Sequence, residues 1–151
     1  MRIALDDPAR PEVAALLEAH LELMRSSSPP ESVHALPIAA LRAAEISFWT
    51  AWEGEALLGC GALKALGAGE GEIKSMHTAE AHRGRGVAAA LLAHLIAEAK
   101  KRGWRRLMLE TGSQDVFAPS RALYRRFGFS DRGPFADYWD DPNSVYMELA
   151  L

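Results

Sequence analysis

Apolar residues recur along this chain with two different periods, and the period predicts where helices lie. A first long helix is predicted from Pro8, with Asp7 as its N-cap, to about Arg25, because apolar residues return every three or four positions. A second is predicted from Val87 to the stretch 100–103, whose cations suit a helix C-terminus and whose glycine ends it. Two shorter helices are expected at 38–44 and 119–127.

Strands are predicted where the period falls to two, or where a short apolar run ends at turn residues. In the middle of the chain, short glycine-containing turns separate successive strands, which is typical of an antiparallel meander. These strands cover residues 46–52, 56–66 and 72–78. Further strands are expected at 2–6, 104–110 and 145–151. The predicted order is β-α-α-β-β-β-α-β-α-β-β, an α/β fold with a mixed sheet flanked by helices, in a single domain over residues 1–151.

Size and charge narrow the functional classes. The chain has 151 residues, a formal net charge of −3 and a pI near 5.9. This length suits one core, and the lack of a basic excess argues against a nucleic-acid binder while leaving room for one local phosphate pocket. The N-terminus turns acidic at Asp6, and no run approaches the ~18 apolar residues of a membrane span. We therefore expect a cytoplasmic protein without membrane contact.

Cysteine and histidine give no sign of a metal site. Cys60 is the only cysteine and lies in an apolar run, so we interpret it as a small strand residue rather than a nucleophile. The histidines are scattered, without a pair at metal-ligand spacing, and His20 and His94 are expected on helix surfaces. No metal is predicted.

The most informative segment is the turn 82–88, which joins a predicted strand to the second long helix. Gly84 and Gly86 allow the main chain to approach a ligand, and the helix N-terminus offers unpaired N–H groups at the positive end of its dipole. Arg83 and Arg85 add positive charge where a pyrophosphate would lie. The alternative is a tight turn with two solvated arginines. The turn lacks the third glycine of a Rossmann fingerprint and the Gly-Lys-Ser/Thr of a Walker motif.

Two short segments carry recognisable signatures. The stretch Arg83–Ala88 fits Q/R-x-x-G-x-G/A, with Arg83, Gly86 and Ala88 at the defining positions. The later stretch Leu123–Phe129 fits L-Y-x-x-x-G-F. With the predicted element order, these segments resemble the GNAT superfamily of acyl-CoA-dependent N-acetyltransferases over essentially the whole chain. The resemblance implies a GNAT-like fold and acetyl-CoA as the acyl donor.

The resemblance also implies where coenzyme A binds. In the family, the pyrophosphate lies on main-chain N–H groups of the glycine turn. The matching residues here are Arg83, Gly84, Arg85, Gly86, Val87 and Ala88. The pantetheine arm pairs with the end of the preceding strand, which corresponds to Met76, His77 and Thr78.

A general acid and a general base are implied in the same way. Tyr124 corresponds to the tyrosine that protonates the departing thiolate in many members, although it also fits a packing role on an amphipathic helix. Glu72 lies where many members carry a glutamate that accepts the amine proton. Glu110, at the end of the next strand, and water are rival bases. A backbone N–H near His77 or Thr78 is expected to polarise the thioester carbonyl.

The chain departs from the family pattern just before Tyr124. Family members often carry Asn and Ala where this sequence has Phe117 and Ser120. Phe117 cannot make the hydrogen bonds of Asn, whereas Ser120 either supplies part of that polarity to the cofactor or serves only at the helix N-terminus. The aromatic and acidic stretch 137–143 either lines an acceptor pocket for a cationic amine or forms an exposed loop.

The sequence therefore predicts an enzyme that transfers an acetyl group from acetyl-CoA to a primary amine of a small molecule or peptide, by direct attack in a ternary complex. One alternative is a catalytically silent CoA-binding sensor or regulatory module, which would need neither Tyr124 nor Glu72. Another is a non-enzymatic dimerisation domain. The acceptor is not determined, because one fold serves many acceptors. The oligomeric state is also open, and exposed strand edges are compatible with a homodimer.

Overall fold

The computed structural model describes all 151 residues, which form one seven-stranded sheet and three α-helices. The strands are β1 (Arg2–Leu5), β2 (Ile46–Glu53), β3 (Ala56–Gly67), β4 (Glu70–Thr78), β5 (Arg106–Gly112), β6 (Ser130–Arg132) and β7 (Ser144–Ala150). The helices are α1 (Pro11–Ser27), α2 (Val87–Lys101) and α3 (Ala118–Arg126). Single 3-10 turns lie at Pro30–Ser32, Ala40–Arg42, Glu80–His82 and Asp115–Phe117.

The strands are ordered β1-β2-β3-β4-β5-β7-β6 across the sheet. Strands β2, β3 and β4 form the predicted antiparallel meander. Strands β4 and β5 are parallel, and α2 makes the crossover between them. Strand β7 lies antiparallel between β5 and β6. The predicted α/β fold with a mixed sheet is therefore confirmed.

Several element boundaries differ from the sequence prediction. Helix α1 begins at Pro11 rather than Pro8, because the Asp7 carboxylate accepts the Ala9 N–H and forms a separate turn. The helix predicted over 38–44 is only a 3-10 turn at Ala40–Arg42.

Strand β5 also starts later than predicted, at Arg106. The N–H of Trp104 instead donates to the Ala99 carbonyl at the end of α2, at 3.1 Å. The Trp104 ring covers Gly71 so closely that a methyl group there would collide with it. Trp104, which the sequence pattern placed at the start of a strand, therefore ends helix α2, and its ring packs against the sheet at Gly71.

The helices cover opposite faces of the sheet. Alternate strand residues point to opposite sides, so Ala62 and Leu63 belong to different cores. Ala62 packs in one buried cluster with Val13 and Leu17 of α1. Leu63 packs in the other cluster, which contains residues of both α2 and α3. An opening between neighbouring strands would therefore connect the α1 face to the α2–α3 face.

Cys60 lies in β3 and is completely buried, as predicted for a small strand residue. Burial raises the pKa of its thiol to about 12, so almost no thiolate exists at neutral pH. None of the helices has the length and the apolar character needed to cross a membrane.

Candidate active site

The sheet opens between β4 and β5. Their parallel pairing runs from Glu70–Arg106 to Ile73–Leu109 and then stops. Strand β4 nevertheless continues to Thr78, held on its other edge by β3. Beyond Ile73, the edge of β4 therefore faces an open gap, which we call the β4–β5 cleft.

A bulge in β4 accompanies the cleft. Cys60 pairs with His77 and Ala62 with Lys74, so two steps along β3 match three along β4. Ser75 absorbs the extra residue with a φ of 54°, which is rare for a residue with a side chain. The bulge redirects the end of β4, and the strand no longer runs alongside β5.

A cavity of about 550 Å³ occupies the β4–β5 cleft. Its lining brings together most residues singled out from the sequence: Glu72, Met76, His77, Thr78, Arg83, Gly84, Gly86, Val87, Ala88, Glu110, Phe117, Ser120 and Tyr124. Arg85 does not line it; its guanidinium lies 2.8 Å from the His82 ring nitrogen on the exposed side of the turn. The cavity also includes residues that the sequence did not single out, among them Lys74.

The glycine turn at the N-terminus of α2 has an open main chain. Gly84 and Gly86 have φ values of 75° and 79°, and a Cβ added to either would meet nothing within 4 Å. No main-chain acceptor receives the N–H groups of residues 84–89, and the first helical bond runs from the Ala90 N–H to the Gly86 carbonyl. The turn therefore offers unpaired N–H groups, space and a helix dipole to an anionic group such as a pyrophosphate.

Tyr124 reaches the cavity from α3. It is only 7% exposed, and its ring packs edge-to-face on Phe129 with the centroids 5.8 Å apart. Burial and, after it, the charge of Glu110 raise the pKa of the phenol. Tyr124 therefore keeps its proton at neutral pH and is available as a proton donor.

Glu110 lies on β5 just beyond the last pair with β4 and lines the same cavity. Burial raises the pKa of its carboxyl from 4.5 to about 7, although Ser144 and Lys74 oppose this rise. A carboxyl with this pKa exchanges a proton readily near neutral pH, which suits a general base.

Glu72 is placed differently from a free base. It is 2% exposed, and its Oε2 accepts hydrogen bonds from the Lys74 ammonium at 3.1 Å and from the Tyr138 hydroxyl at 2.5 Å. Lys74 also donates to the Tyr138 oxygen at 2.8 Å. One oxygen of Glu72 is thus occupied by a closed triangle of hydrogen bonds.

Lys74 was not predicted as a site residue. The available signal was its spacing, since residues two apart on one strand share a face. Tyr138, by contrast, belongs to the stretch 137–143 considered for an acceptor pocket, and it does line the cavity.

The expectation for His20 was wrong. His20 is 8% exposed, and its Nδ1 lies 3.2 Å from the Nδ1 of His77, so one ring donates and the other accepts. Burial lowers the pKa of His20 to about 3 and that of His77 to about 4, hence both rings are neutral at neutral pH. His94 is half-buried rather than on the surface, because its ring packs edge-to-face on Trp49.

Phe117 has a packing role at a position where the family pattern has a polar residue. It is 6% exposed, and its ring lies against Gly112, where a Cβ would collide with it. Gly112 is therefore needed for this contact. Ser120 lies in the first turns of α3 and lines the cavity.

Comparison with known proteins identifies the class to which this fold and site belong, the acyl-CoA-dependent N-acyltransferases. Residues 13–129 match the model of the Acetyltransferase (GNAT) family, and the chain belongs to this family. Over 151 residues, covering 100% of both chains, it is 54% identical to YsnE of Bacillus subtilis (strain 168), named an uncharacterized N-acetyltransferase. It is 37% identical to the IAA acetyltransferase of Azospirillum brasilense, covering 99% of this chain and 97% of that one.

The folds of solved structures agree with this family assignment. A Klebsiella pneumoniae protein described as an acyl-CoA N-acyltransferase matches with a TM-score of 0.80 and 32% identity, over 99% of this chain and 97% of that one. A Bacillus subtilis acetyltransferase solved in complex with CoA has the same fold, with a TM-score of 0.73 and 21% identity over 99% and 98% of the two chains. These findings favour an enzyme using a CoA thioester over a dimerisation domain.

Proposed function

We propose that the enzyme transfers the acetyl group of acetyl-CoA to a primary amine of a small molecule or peptide, by direct attack while both substrates are bound. The observation that carries this proposal is the cavity in the β4–β5 cleft, because the glycine turn, Glu110 and Tyr124 all line it. A cleft between two strands gives access from both faces of the sheet, so donor and acceptor can meet inside it. Buried Cys60 offers no thiolate for a covalent route.

The binding of the donor follows from the open main chain of the turn. The unpaired N–H groups of residues 84–89 suit the pyrophosphate, with Arg83 beside them on the cavity lining. The free edge of β4 at Met76, His77 and Thr78 suits the amide groups of the pantetheine arm, which can pair with it like an added strand. Bound there, acetyl-CoA supplies the activated carbonyl.

Two protons must move during the reaction. The amine nitrogen forms a C–N bond and loses a proton, while the C–S bond breaks and the sulfur gains one. We assign the first proton to Glu110, directly or through water, because its pKa of about 7 lets it accept a proton at neutral pH. We assign the second to Tyr124, which remains a protonated phenol under the same conditions. Glu72 remains the alternative base.

The proposal is tested by following thiol release from acetyl-CoA in the presence of primary amines. Release that depends on the amine, with an N-acetylated product identified by mass spectrometry, is the expected result. Isothermal titration with CoA is the companion measurement. CoA binding without thiol release for any amine would instead identify a sensor.

Replacing Gly86 by leucine is expected to abolish CoA binding. The side chain would fill the open space above the turn, and the φ of 79° disfavours any residue with a Cβ. Gly103→Leu is the matched control, because Gly103 has a φ of 76° and equally open surroundings at the other end of α2. Both variants should lose similar stability, and only Gly86→Leu should lose CoA affinity by titration. Normal CoA binding by a folded Gly86→Leu variant would place the cofactor elsewhere.

Replacing Glu72 by glutamine is expected to move the acidic limb of kcat/KM to lower pH without abolishing activity. Burial is the main cause of the raised pKa of Glu110, and the charge of Glu72 adds to it. Removing that charge also leaves Lys74 unpaired, which lowers the pKa of Glu110 further. Glu70→Gln, on the same strand but outside the cavity, is the control. Loss of activity at every pH in Glu72→Gln would assign the base to Glu72.

A further inference from the structure

Two loops that touch each other line the cavity at the end that holds Glu72 and Lys74. The first loop covers residues 28–36 after α1, and the second covers residues 133–143 between β6 and β7. Resting on the proposed function, we propose that these loops form a roof that limits the acceptor to a small primary amine with an uncharged, apolar body. A polypeptide amine and an amino acid with a free carboxylate are excluded.

Aromatic contacts join the two halves of the roof. The ring of His34, in the first loop, packs edge-to-face on Tyr138 and on Trp139 of the second, with centroid distances of 4.9 Å in both pairs. Burial, followed by the charge of Lys74, lowers the pKa of His34 below its usual 6.5, which favours the neutral ring in these contacts.

A polar contact supports the same closure. The Asn143 side-chain amide lies 3.4 Å from the hydroxyl of Ser32, which is 6% exposed. Ser32, His34 and Tyr138 all line the cavity, so the joined loops form one continuous part of its wall. In the proposed arrangement, this wall blocks the open groove that an extended polypeptide would need.

The charges beneath the roof favour a cation. Glu72 and Glu110 both line the cavity there, and Lys74 is the cation that β4 adds to them. The ammonium of Lys74 is already engaged by Glu72 and Tyr138, with its side chain 8% exposed. The other lining cations, Arg83 and Arg126, lie at the glycine turn and on α3.

This arrangement discriminates between acceptors by charge. An ammonium would be attracted to the carboxylate of Glu110; it first loses one proton to water, and Glu110 then accepts the proton that the amine releases as the C–N bond forms. A second group that carries a carboxylate would meet the acidic side chain of Glu110 and no free cation, because Lys74 is already paired with Glu72. Like charges repel in such a cleft.

The residues that form the cavity walls determine which kind of side group on the acceptor fits. On α1, which covers this face of the sheet, Leu23 and Met24 line the cavity, and Val33 and Ala35 line it from the first loop. The Tyr138 ring adds an aromatic surface. Burying an alkyl or aryl group against apolar walls adds favourable binding free energy, whereas a polar chain adds none there.

The experiment compares primary amines, most of which share a phenylethyl group. Thiol release from acetyl-CoA is measured with 2-phenylethylamine, phenylalanine, phenylalaninamide, short alkylamines and a pentapeptide with N-terminal phenylalanine. Values of kcat/KM are corrected for the fraction of free amine. We expect 2-phenylethylamine to exceed phenylalanine at least about tenfold, which corresponds to about 1.4 kcal/mol. Phenylalaninamide should recover much of the loss, and the peptide should give background release.

The roof is tested by His34→Ala, which removes both aromatic contacts. This variant should admit the peptide and raise KM for 2-phenylethylamine, while the Kd for CoA stays unchanged. His94→Ala is the control, since it also removes an edge-to-face contact, with Trp49, but lies outside the cavity. If the peptide or phenylalanine is the better substrate of the wild-type enzyme, the inference is wrong and the proposed function stands. Absence of thiol release with every amine overturns both.

Discussion

Replacing Tyr124 by phenylalanine is expected to lower kcat at least about 100-fold, the lower end of what a positioned acid contributes. The phenol lines the cavity in the β4–β5 cleft and keeps its proton because burial raises its pKa. Phenylalanine retains the ring that packs on Phe129 and removes only the hydroxyl. The melting temperature and the Kd for CoA should therefore change little, and the loss should appear in kcat under conditions where chemistry limits turnover.

Tyr146→Phe is the control for this experiment. Tyr146 is 4% exposed and also loses a hydroxyl, which donates to the Trp139 carbonyl, but it does not line the cavity. Its removal should affect stability and leave kcat intact. A Tyr124→Phe enzyme with the kcat of the wild type would show that the sulfur takes its proton from water, and Tyr124 would then be a packing residue.

Replacing Glu110 by glutamine is expected to lower kcat/KM, corrected for the fraction of free amine, by about 100- to 10,000-fold and to remove the acidic limb of its pH profile. The wild-type enzyme should gain activity as the pH rises through about 7, the pKa of Glu110. Glutamine cannot accept a proton, so the limb disappears with the activity. Glu148→Gln is the control, because Glu148 lies on β7, pairs with Arg132 and stays outside the cavity.

The same variant should be more stable than the wild type at alkaline pH. Burial raises the pKa of Glu110 above its ordinary 4.5, so the folded state holds the proton more tightly than the unfolded state. The associated stability is present below about pH 4.5 and is lost as the pH rises through about 7. Thermal unfolding of Glu110→Gln should lack this loss. If both activity and stability of the variant match the wild type at every pH, Glu110 is neither the base nor strained by burial.

The fold and the conformation of the glycine turn could be predicted because their signals are local. Gly84 and Gly86 take left-handed φ values, and the N-terminus of α2 exposes its N–H groups; both depend on residues adjacent in the sequence. The meander was predicted from its short turns in the same way. Helix boundaries were less secure, since Asp7 competes for a local turn and shortens α1.

The side of the cavity near Glu72 and His77 could not be predicted in the same way, because its contacts join distant parts of the chain. Glu72 meets Tyr138 across 66 residues, and His20 meets His77 across 57. His20 was expected on a helix surface, since a single sequence does not show which side of α1 is covered by the end of β4.

By itself, the sequence determined the family signatures, the order of the strands and the three α-helices, and the two candidate carboxylates. Only the tertiary structure decided that Glu72 is held by Lys74, that Glu110 keeps a raised pKa, and that the His34 ring packs on Tyr138. The physical reason is that backbone conformation responds to neighbouring residues. Burial and charge instead depend on which distant side chains the packing of α1, the sheet and the two loops brings within a few ångströms.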